Sequence, residues 1–371
     1  MPKFEQMHAT DKDIYDLLVS SEKRMTQKQM REIPLGRRIL VSQEGDREDI
    51  ASYISCFSFD HEGIVDLLER CESGAGREKT ASATFQAAVK SDEMKEIIVK
   101  YATAPGRSEV YAFATSTDKH MILNVKYDEF DYSRNRLSQR QKRIANLSFE
   151  FRPDSVSVRF PSTLKARQIV ADLKNLLESE KKEKISYDEI SLVDFTDPKE
   201  RTEFFLELIS SIPDHSLVGV TTLRVSSAQV NDVDEEDEAE ENARAEMLSV
   251  VKGVYLQGTN LMISDEYRRL RESGFFITSI IWEATQNSTP YELVKFDVGF
   301  EDPKQATGFR YSVRTAPRGG DGKYRSVAKT PNAVRQSILF DALESTAREI
   351  LAKMRKKVDA ATGEETVHET S

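Results

Sequence analysis

Cysteine is nearly missing from these 371 residues: Cys56 and Cys71 are the whole complement. Two thiols do not staple a chain of this length, so a disulfide scaffold is excluded and a reducing compartment is expected. Both read as small buried hydrophobes. Tryptophan occurs once, and the five histidines (His8, His61, His120, His215 and His368) are scattered. No two of them stand at the spacing of a zinc site, and His61-Glu62 does not continue to the second histidine of a zinc protease. No serine sits in a Gly-x-Ser-x-Gly elbow, and neither cysteine has a histidine at a recognised spacing. Local hydrolase motifs are therefore lacking, although a triad assembled from distant residues would leave no such trace. Long hydrophobic runs are missing too. No window approaches the roughly 18 apolar residues of a membrane span, and the opening Met1-Pro2-Lys3-Phe4 turns polar without a signal-peptide core. The expectation is a cytoplasmic protein with no membrane association, no metal and no cofactor.

Charge, by contrast, is abundant and uneven. The net charge is −10, yet Asn231 to Glu241 holds eight acidic residues and no basic one, and the tail from Val358 holds four more. Without these segments the remainder carries +2, so the acidic total does not exclude a basic binding face. An apolar content of 39% suffices for a sizeable core.

The first 80 residues read as short helices. Thr10-Asp11-Lys12-Asp13 opens one with Ile14, Leu17 and Leu18 on a single face. Thr26 to Ile33 is a second, stopped by Pro34 and Gly36. Arg47 to Phe57 and Gly63 to Cys71 follow, and together they suit a small bundle serving as a partner platform. Thr26-Gln27-Lys28-Gln29-Met30-Arg31 also offers the polar face of a recognition helix.

After the flexible joint Ser73-Gly74-Ala75-Gly76, Thr84 to Tyr101 reads as a helix through Met94, Ile97 and Ile98. Alternation around Val110 to Ala114 and again at Met121 to Val125 predicts a hairpin. Leu147 to Phe151 and Val156 to Phe160, joined by Arg152-Pro153-Asp154, predict another. A helix follows from Thr163 to Glu178. Asp197-Pro198-Lys199-Glu200 is the best helix start in the chain, with Asp at the cap and Pro at the first turn. Ile190 to Val193 before this helix and Leu217 to Leu223 after it predict strand, helix, strand, with a parallel pair permitted. The acidic run within Ala228 to Ala243 cannot bury apolar surface and is expected to be a disordered loop or linker, or an acidic mimic competing for a basic groove. Glu246 to Tyr255 is a further helix.

Ser264 to Arg314 is the most ordered stretch. A short helix capped by Ser264 ends at Gly274, and three apolar-rich strands follow. Phe275 to Trp282 reads as covered on both faces. Val294 to Phe300 turns Lys295 and Asp297 outward, and Phe309 to Val313 turns Arg310, Ser312 and Arg314 outward. Ala316 to Lys329 is a glycine-rich basic loop. It is not a phosphate loop, since Pro317 and Tyr324 stand where glycine and a magnesium-binding hydroxyl are needed. A long helix runs from Thr330-Pro331 to Arg355-Lys356-Lys357.

The fold class that follows is α+β, a helical N-terminal region before a mainly antiparallel sheet flanked by helices, interrupted by a disordered acidic insertion. The expected divisions are a helical domain at 1–80, an α+β first part at 81–227, the acidic segment at 228–243, a second part at 244–357 with the strand meander and last helix, and a disordered tail at 358–371.

Basic clustering is the one functional signal. Arg134, Arg136, Arg140, Lys142 and Arg143 crowd a polar segment beside Tyr132. Arg310, Arg314, Arg318, Lys323 and Arg325 follow the last strand into the glycine-rich loop. Guanidinium and ammonium groups so placed suit phosphate contacts. The expected function is non-enzymatic binding of nucleic acid through these residues, or of a protein partner through the N-terminal helices. The expected setting is an accessory role in DNA transactions or anti-phage defence of a prokaryotic-type intracellular system, which no single residue specifies. The alternative is a metal-dependent nuclease or other hydrolase with a dispersed site. Asp297 with Asp302-Pro303-Lys304 comes nearest to the required carboxylates, but Pro303 sits where the second strand should run; Asp118, Asp128 and Glu129 are another acidic group, lacking the lysine at the right spacing.

Overall fold

A computed structural model describes residues 8–71, 78–106, 108–227, 253–258, 261, 264–320 and 322–368. The acidic run at 228–243, the joint at 73–76 and Asp321 lie outside them. The chain forms two compact units built from non-contiguous segments. The first comprises Met1–Glu78, Lys95–Thr117 and Met121–Leu147; the second comprises Lys79–Met94, Asp118–His120 and Ser148–Ser371.

The elements, in chain order, begin with four helices, α1 (Asp11–Ser20), α2 (Gln27–Gly36), α3 (Arg47–Ser55) and α4 (His61–Cys71). Then come β1 (Thr80–Gln86), α5 (Ser91–Ala102), β2 (Val110–Ser116), β3 (His120–Phe130), β4 (Arg140–Phe151) and β5 (Val156–Pro161). The chain continues through α6 (Leu164–Lys181), β6 (Ser186–Glu189), α7 (Pro198–Ser211), β7 (His215–Ser227) and β8 (Gly253–Gln257). It closes with α8 (Asp265–Glu272), β9 (Phe275–Gln286), β10 (Leu293–Asp302), β11 (Thr307–Ala316) and α9 (Ala333–His368).

In the first unit, capping boxes start α1, α2 and α3: Thr10 with Asp13, Thr26 with Gln29, and Asp46 with Asp49 exchange side-chain and backbone bonds. Each cap leaves the next apolar face free to turn inward, and Ile14, Leu17, Leu18, Met30, Ile50, Ile54, Leu67 and Leu68 make one buried cluster. Arg47 ties this bundle together by donating to the carbonyls of Leu18, Val19 and Met25. α2 does not stop at Pro34 as the sequence suggests. Proline in a last turn forfeits a single helical bond, and burial of its ring in the bundle offsets that loss. β2 and β3 form the expected hairpin.

The second unit is organised on a sheet in which β5, β1, β11, β10, β9, β7 and β8 are neighbours in that order, with β6 also paired to β1. Every ladder described within it is antiparallel. One face carries the largest core: Val298, Phe296, Phe300, Phe309, Tyr311, Ile280 and Trp282 pack with Phe204, Phe205 and Leu208 of α7 and Leu339, Leu343 and Ile350 of α9. Asp197 caps α7 by accepting from the Lys199 amide, as its sequence predicts. The α9 helix is fastened by charge as well as by apolar contact. Arg159 of β5 bonds Glu344 at 2.8 Å and Asp341 at 2.5 Å, and the buried Tyr311 hydroxyl donates to Glu344.

Several expectations need correction. The helix read from Thr84 to Tyr101 begins instead as β1, followed by α5 from Ser91. Thr-Ala-Ser-Ala-Thr-Phe lacks large apolar alternation because β1 is a central strand with almost every side chain buried. The parallel pair is not formed: β6 occupies the four residues directly before Ile190 and joins β1 antiparallel, while Ile190 and Leu192 enter the core from irregular backbone. Gly253 to Tyr255, read as the end of a helix, belong to strand β8 on β7; residues 246–252 lie outside the described set. Phe275 to Trp282 is covered on both faces only over its first four residues, after which burial alternates. The last helix runs past Lys357 to His368.

Candidate functional site

The two basic clusters have different surroundings. In the first, Arg134 pairs with Asp131 at 2.8 Å, Arg136 with Asp13 at 3.6 Å, and Arg140 with Asp128 at 2.7 Å. Arg143 pairs with Glu129 at 2.9 Å and Glu78 at 3.5 Å, and Lys142 is also engaged. This cluster is a neutralised ion-pair network on β3, β4 and the turn between them. Phosphates would have to displace a carboxylate at each of the four paired arginines.

In the second cluster, Arg318 and Lys323 shape the glycine-rich loop. The Arg318 Nε donates to the Gly322 carbonyl at 2.9 Å, and Gly319 donates to the Lys323 carbonyl at 2.7 Å. Gly322 takes φ +78°, a conformation that suits glycine and closes the turn. Arg325 donates its amide to Pro317 and lines a small cleft of about 230 Å³ with Glu292, Lys329 and Arg335. Arg310 and Arg314 remain on β11 with Ser312, on the face opposite the core.

Strand register identifies what shares that face. Reading across the ladders, Tyr255 of β8 is opposite Arg224 of β7, Arg224 opposite Ser279 of β9, Ser279 opposite Gly299 of β10, Gly299 opposite Arg310, and Arg310 opposite Ala81 of β1. These six residues form one row on one face, because directly opposed residues point to the same side. Two residues further along lie Ile281, Asp297 and Ser312, and then Glu283, Lys295 and Arg314.

Two arginines thus flank a floor of two small residues. The floor is tightly specified: a Cβ on Gly299 would stand 2.7 Å from the Ser279 Cβ and 3.0 Å from the Thr278 carbonyl oxygen. Ser279 is itself fixed by donation to the Val298 carbonyl at 3.0 Å. Strands are about 4.8 Å apart, so Arg224 and Arg310, three strands apart, have Cα atoms roughly 14 Å apart.

Among the described residues this face holds five cations (Lys79, Arg224, Lys295, Arg310 and Arg314). Lys79 pairs with Asp297 at 2.6 Å and Lys295 with Glu283 at 3.5 Å. Glu301, nearby on β10, is already taken by Arg167 of α6 at 2.8 Å. Among the described residues no carboxylate pairs with Arg224, Arg310 or Arg314. The Arg310 Nε is buried and makes no hydrogen bond. Burial pulls the Lys79 ammonium below its ordinary pKa, Asp297 opposes this, and the positive fields of Arg310 and Arg224 deepen it. Arg224 places its guanidinium 5.4 Å from the centre of the Tyr255 ring, a cation–π arrangement.

The carboxylates that a nuclease would use have other tasks. Asp297 holds Lys79, Asp302 accepts the amides of Lys304 and Gln305, Asp128 holds Arg140, and Glu129 holds Arg143. Among the described residues, no three His, Cys, Asp or Glu side chains are grouped to hold a metal ion. His120 and Ser148 do meet, at 3.0 Å, in a polar cleft of about 300 Å³ with Arg159, Ser337 and Asp341. Ser148 stands within a paired strand and Arg159 is saturated by Glu344, Asp341 and Ser337, so neither is poised for a substrate.

On the N-terminal bundle, Arg31 of the suggested recognition helix donates to the carbonyls of Gln43 at 3.0 Å and Gly45 at 2.8 Å. The bundle's most distinctive surface is Arg37 stacked on Phe57 and Phe59, with Tyr53 edge-on to Phe57. No helix among the described residues is long and apolar enough to cross a membrane.

Sequence reasoning places Arg310 and Arg314 on this face but does not bring Lys79, Arg224 and Tyr255 to it. Lys79 precedes a strand disguised by small residues, and Tyr255 is hidden in an apparent helix. Arg224 was within reach, since the alternation of Leu223 and Val225 turns it outward. No protein-family model, curated protein or solved structure matches this chain.

Proposed function

We propose that the second unit binds the phosphate backbone of a nucleic acid through the polar face of its sheet, with Arg224, Arg310 and Arg314 as the principal contacts and Lys79 in support. One observation supports this reading: among the described residues, three arginines on one face pair with no carboxylate. Cations left without carboxylates on one face suit an anionic ligand, because charge-assisted hydrogen bonds to phosphate are strong. Phosphates meet that requirement, and a sheet presents the three cations on a rigid frame. The function is binding, without a catalytic step.

The test is a salt titration of binding to mixed DNA and RNA. Three phosphate contacts predict that log K falls with log salt with a slope of about −2 on single strands. Arg224→Glu with Arg310→Glu abolishes binding at moderate salt. Arg134→Glu with Arg140→Glu, in the neutralised cluster, leaves it nearly unchanged. The opposite pattern, or no binding at low salt, overturns the proposal.

A further inference from the structure

Resting on the basic-face reading, we infer that the ligand is a single-stranded nucleic acid and that Tyr255 stacks on a base at one end of the row. The row has three parts. At one end the Tyr255 ring, 54% exposed, lies beside the Arg224 guanidinium. Ser279 and Gly299 form the low floor, and beyond them is Arg310, which pairs with no carboxylate among the described residues. A duplex hides its base faces inside the stack and offers only phosphates, so an exposed ring on a sheet adds little to its binding. A single strand offers both a π-face and a phosphate. The floor admits a sugar or base between the two arginines because neither Ser279 nor Gly299 projects far from the sheet. Tyr and Arg planes tolerate any base, so the inferred preference is for strandedness over sequence.

The face has other features that fit a chain laid across the strands. Arg314 lies four residues beyond Arg310 on β11, roughly 13 Å along the strand, and extends the positive surface away from the row. On the other side of Arg310, Phe160 of β5 is opposite Ala81, and Arg167 of α6 lies 5.8 Å from the Phe160 ring, already neutralised by Glu189 and Glu301. The uncompensated charge therefore stops at Arg310 on that side, and the binding track runs from there toward Tyr255.

Fluorescence anisotropy of the full chain tests this with a labelled 12-nucleotide DNA, the matching RNA, the 12-base-pair duplex and polyglutamate of similar charge. The expected result is single strands held at least tenfold tighter than duplex or polyglutamate. Tyr255→Ala should weaken single-strand binding about 5- to 100-fold, the range for loss of one stacked base, and leave duplex binding unchanged. Tyr255→Phe keeps the ring and should retain binding. Duplex binding as tight as single-strand binding overturns the inference, as does Tyr255→Ala without effect. Polyglutamate bound as tightly as DNA also overturns it, in favour of an acidic protein partner. If Arg310→Glu weakens binding while Tyr255→Ala does not, stacking fails and the basic face stands; if neither variant matters, both fail. A thermal melt of each variant shows that the fold is kept.

Discussion

Lys79 and Asp297 meet at 2.6 Å although 218 residues separate them, and the contact leaves the surface around them positive. Of the cations whose fields act on one another here, Lys79, Arg224 and Arg310, Asp297 pairs with Lys79. The pair links β1 to β10 across the intervening β11 and places an ammonium beside the Arg310 row.

Removing that carboxylate should therefore sharpen binding. Asp297→Asn is expected to tighten single-strand affinity roughly tenfold at pH 6, by exposing one more cation to phosphate, while Lys79→Met weakens it. The sign of the pH effect follows from the causes. Asp297 raises the Lys79 pKa against burial, so its loss lowers that pKa further, and the Asn variant loses its advantage at a lower pH than wild type loses affinity. Anisotropy titrations between pH 6 and 10 check this. Equal weakening by both substitutions would show instead that the pair is structural.

Arg310 is held at a cost to stability. Its buried Nε lacks a partner, and relieving one such group contributes about 1 to 3 kcal/mol. Arg310→Met should thus stabilise the free protein by about 1 kcal/mol while binding falls. Urea denaturation beside the binding assay reads both, and a destabilised variant would mean that Arg310 serves the fold.

Glu344 is the converse case. It is buried, accepts from both Arg159 and Tyr311, and keeps the tyrosine hydroxyl protonated by burial and its own charge. Glu344→Gln leaves Arg159 with Asp341 as its remaining carboxylate, and weakening a charged hydrogen-bonded pair in this way, without stranding the charge, costs about 1 to 3 kcal/mol. The expected loss in urea is of that size, with loosening of α9 first, visible by hydrogen exchange. A loss below 1 kcal/mol would contradict the anchoring role.

His215 should make stability depend on mild acid. Its Nδ1 is 2.7 Å from the Pro213 carbonyl, its Nε2 is buried without a partner, and burial lowers its pKa. The unfolded value is about 6.5, so above that pH the group contributes no pH dependence. Below it the unfolded chain takes up a proton that the folded chain refuses, and stability falls until the lower folded pKa is reached. His215→Leu removes this component, so the variant gains relative to wild type as pH drops from 7 to 5 in urea melts. A constant difference would show that the imidazole does not titrate differently on folding.

Much of the architecture can be read from residue patterns. Thr10, Thr26, Asp197 and Ser264 mark helix starts through side chains that cap exposed amides. The alternation of Phe309, Tyr311 and Val313 with Arg310, Ser312 and Arg314 gives both faces of β11. β1 escapes this reading because a strand buried on both sides shows no alternation, and its Ala and Ser residues carry no apolar signal. The site is less legible than the fold. Whether an arginine is neutralised depends on which carboxylate the ladders bring beside it, so Arg140 with Asp128 and Arg224 with Tyr255 look alike until strand order is known.

The most direct measurement is the salt slope of single-strand binding for wild type and for the Arg224→Glu, Arg310→Glu and Arg314→Glu variants singly. The account predicts that each variant lowers the magnitude of the slope by about 0.7, one phosphate contact apiece. Slopes unchanged in all three, with binding intact, would contradict it.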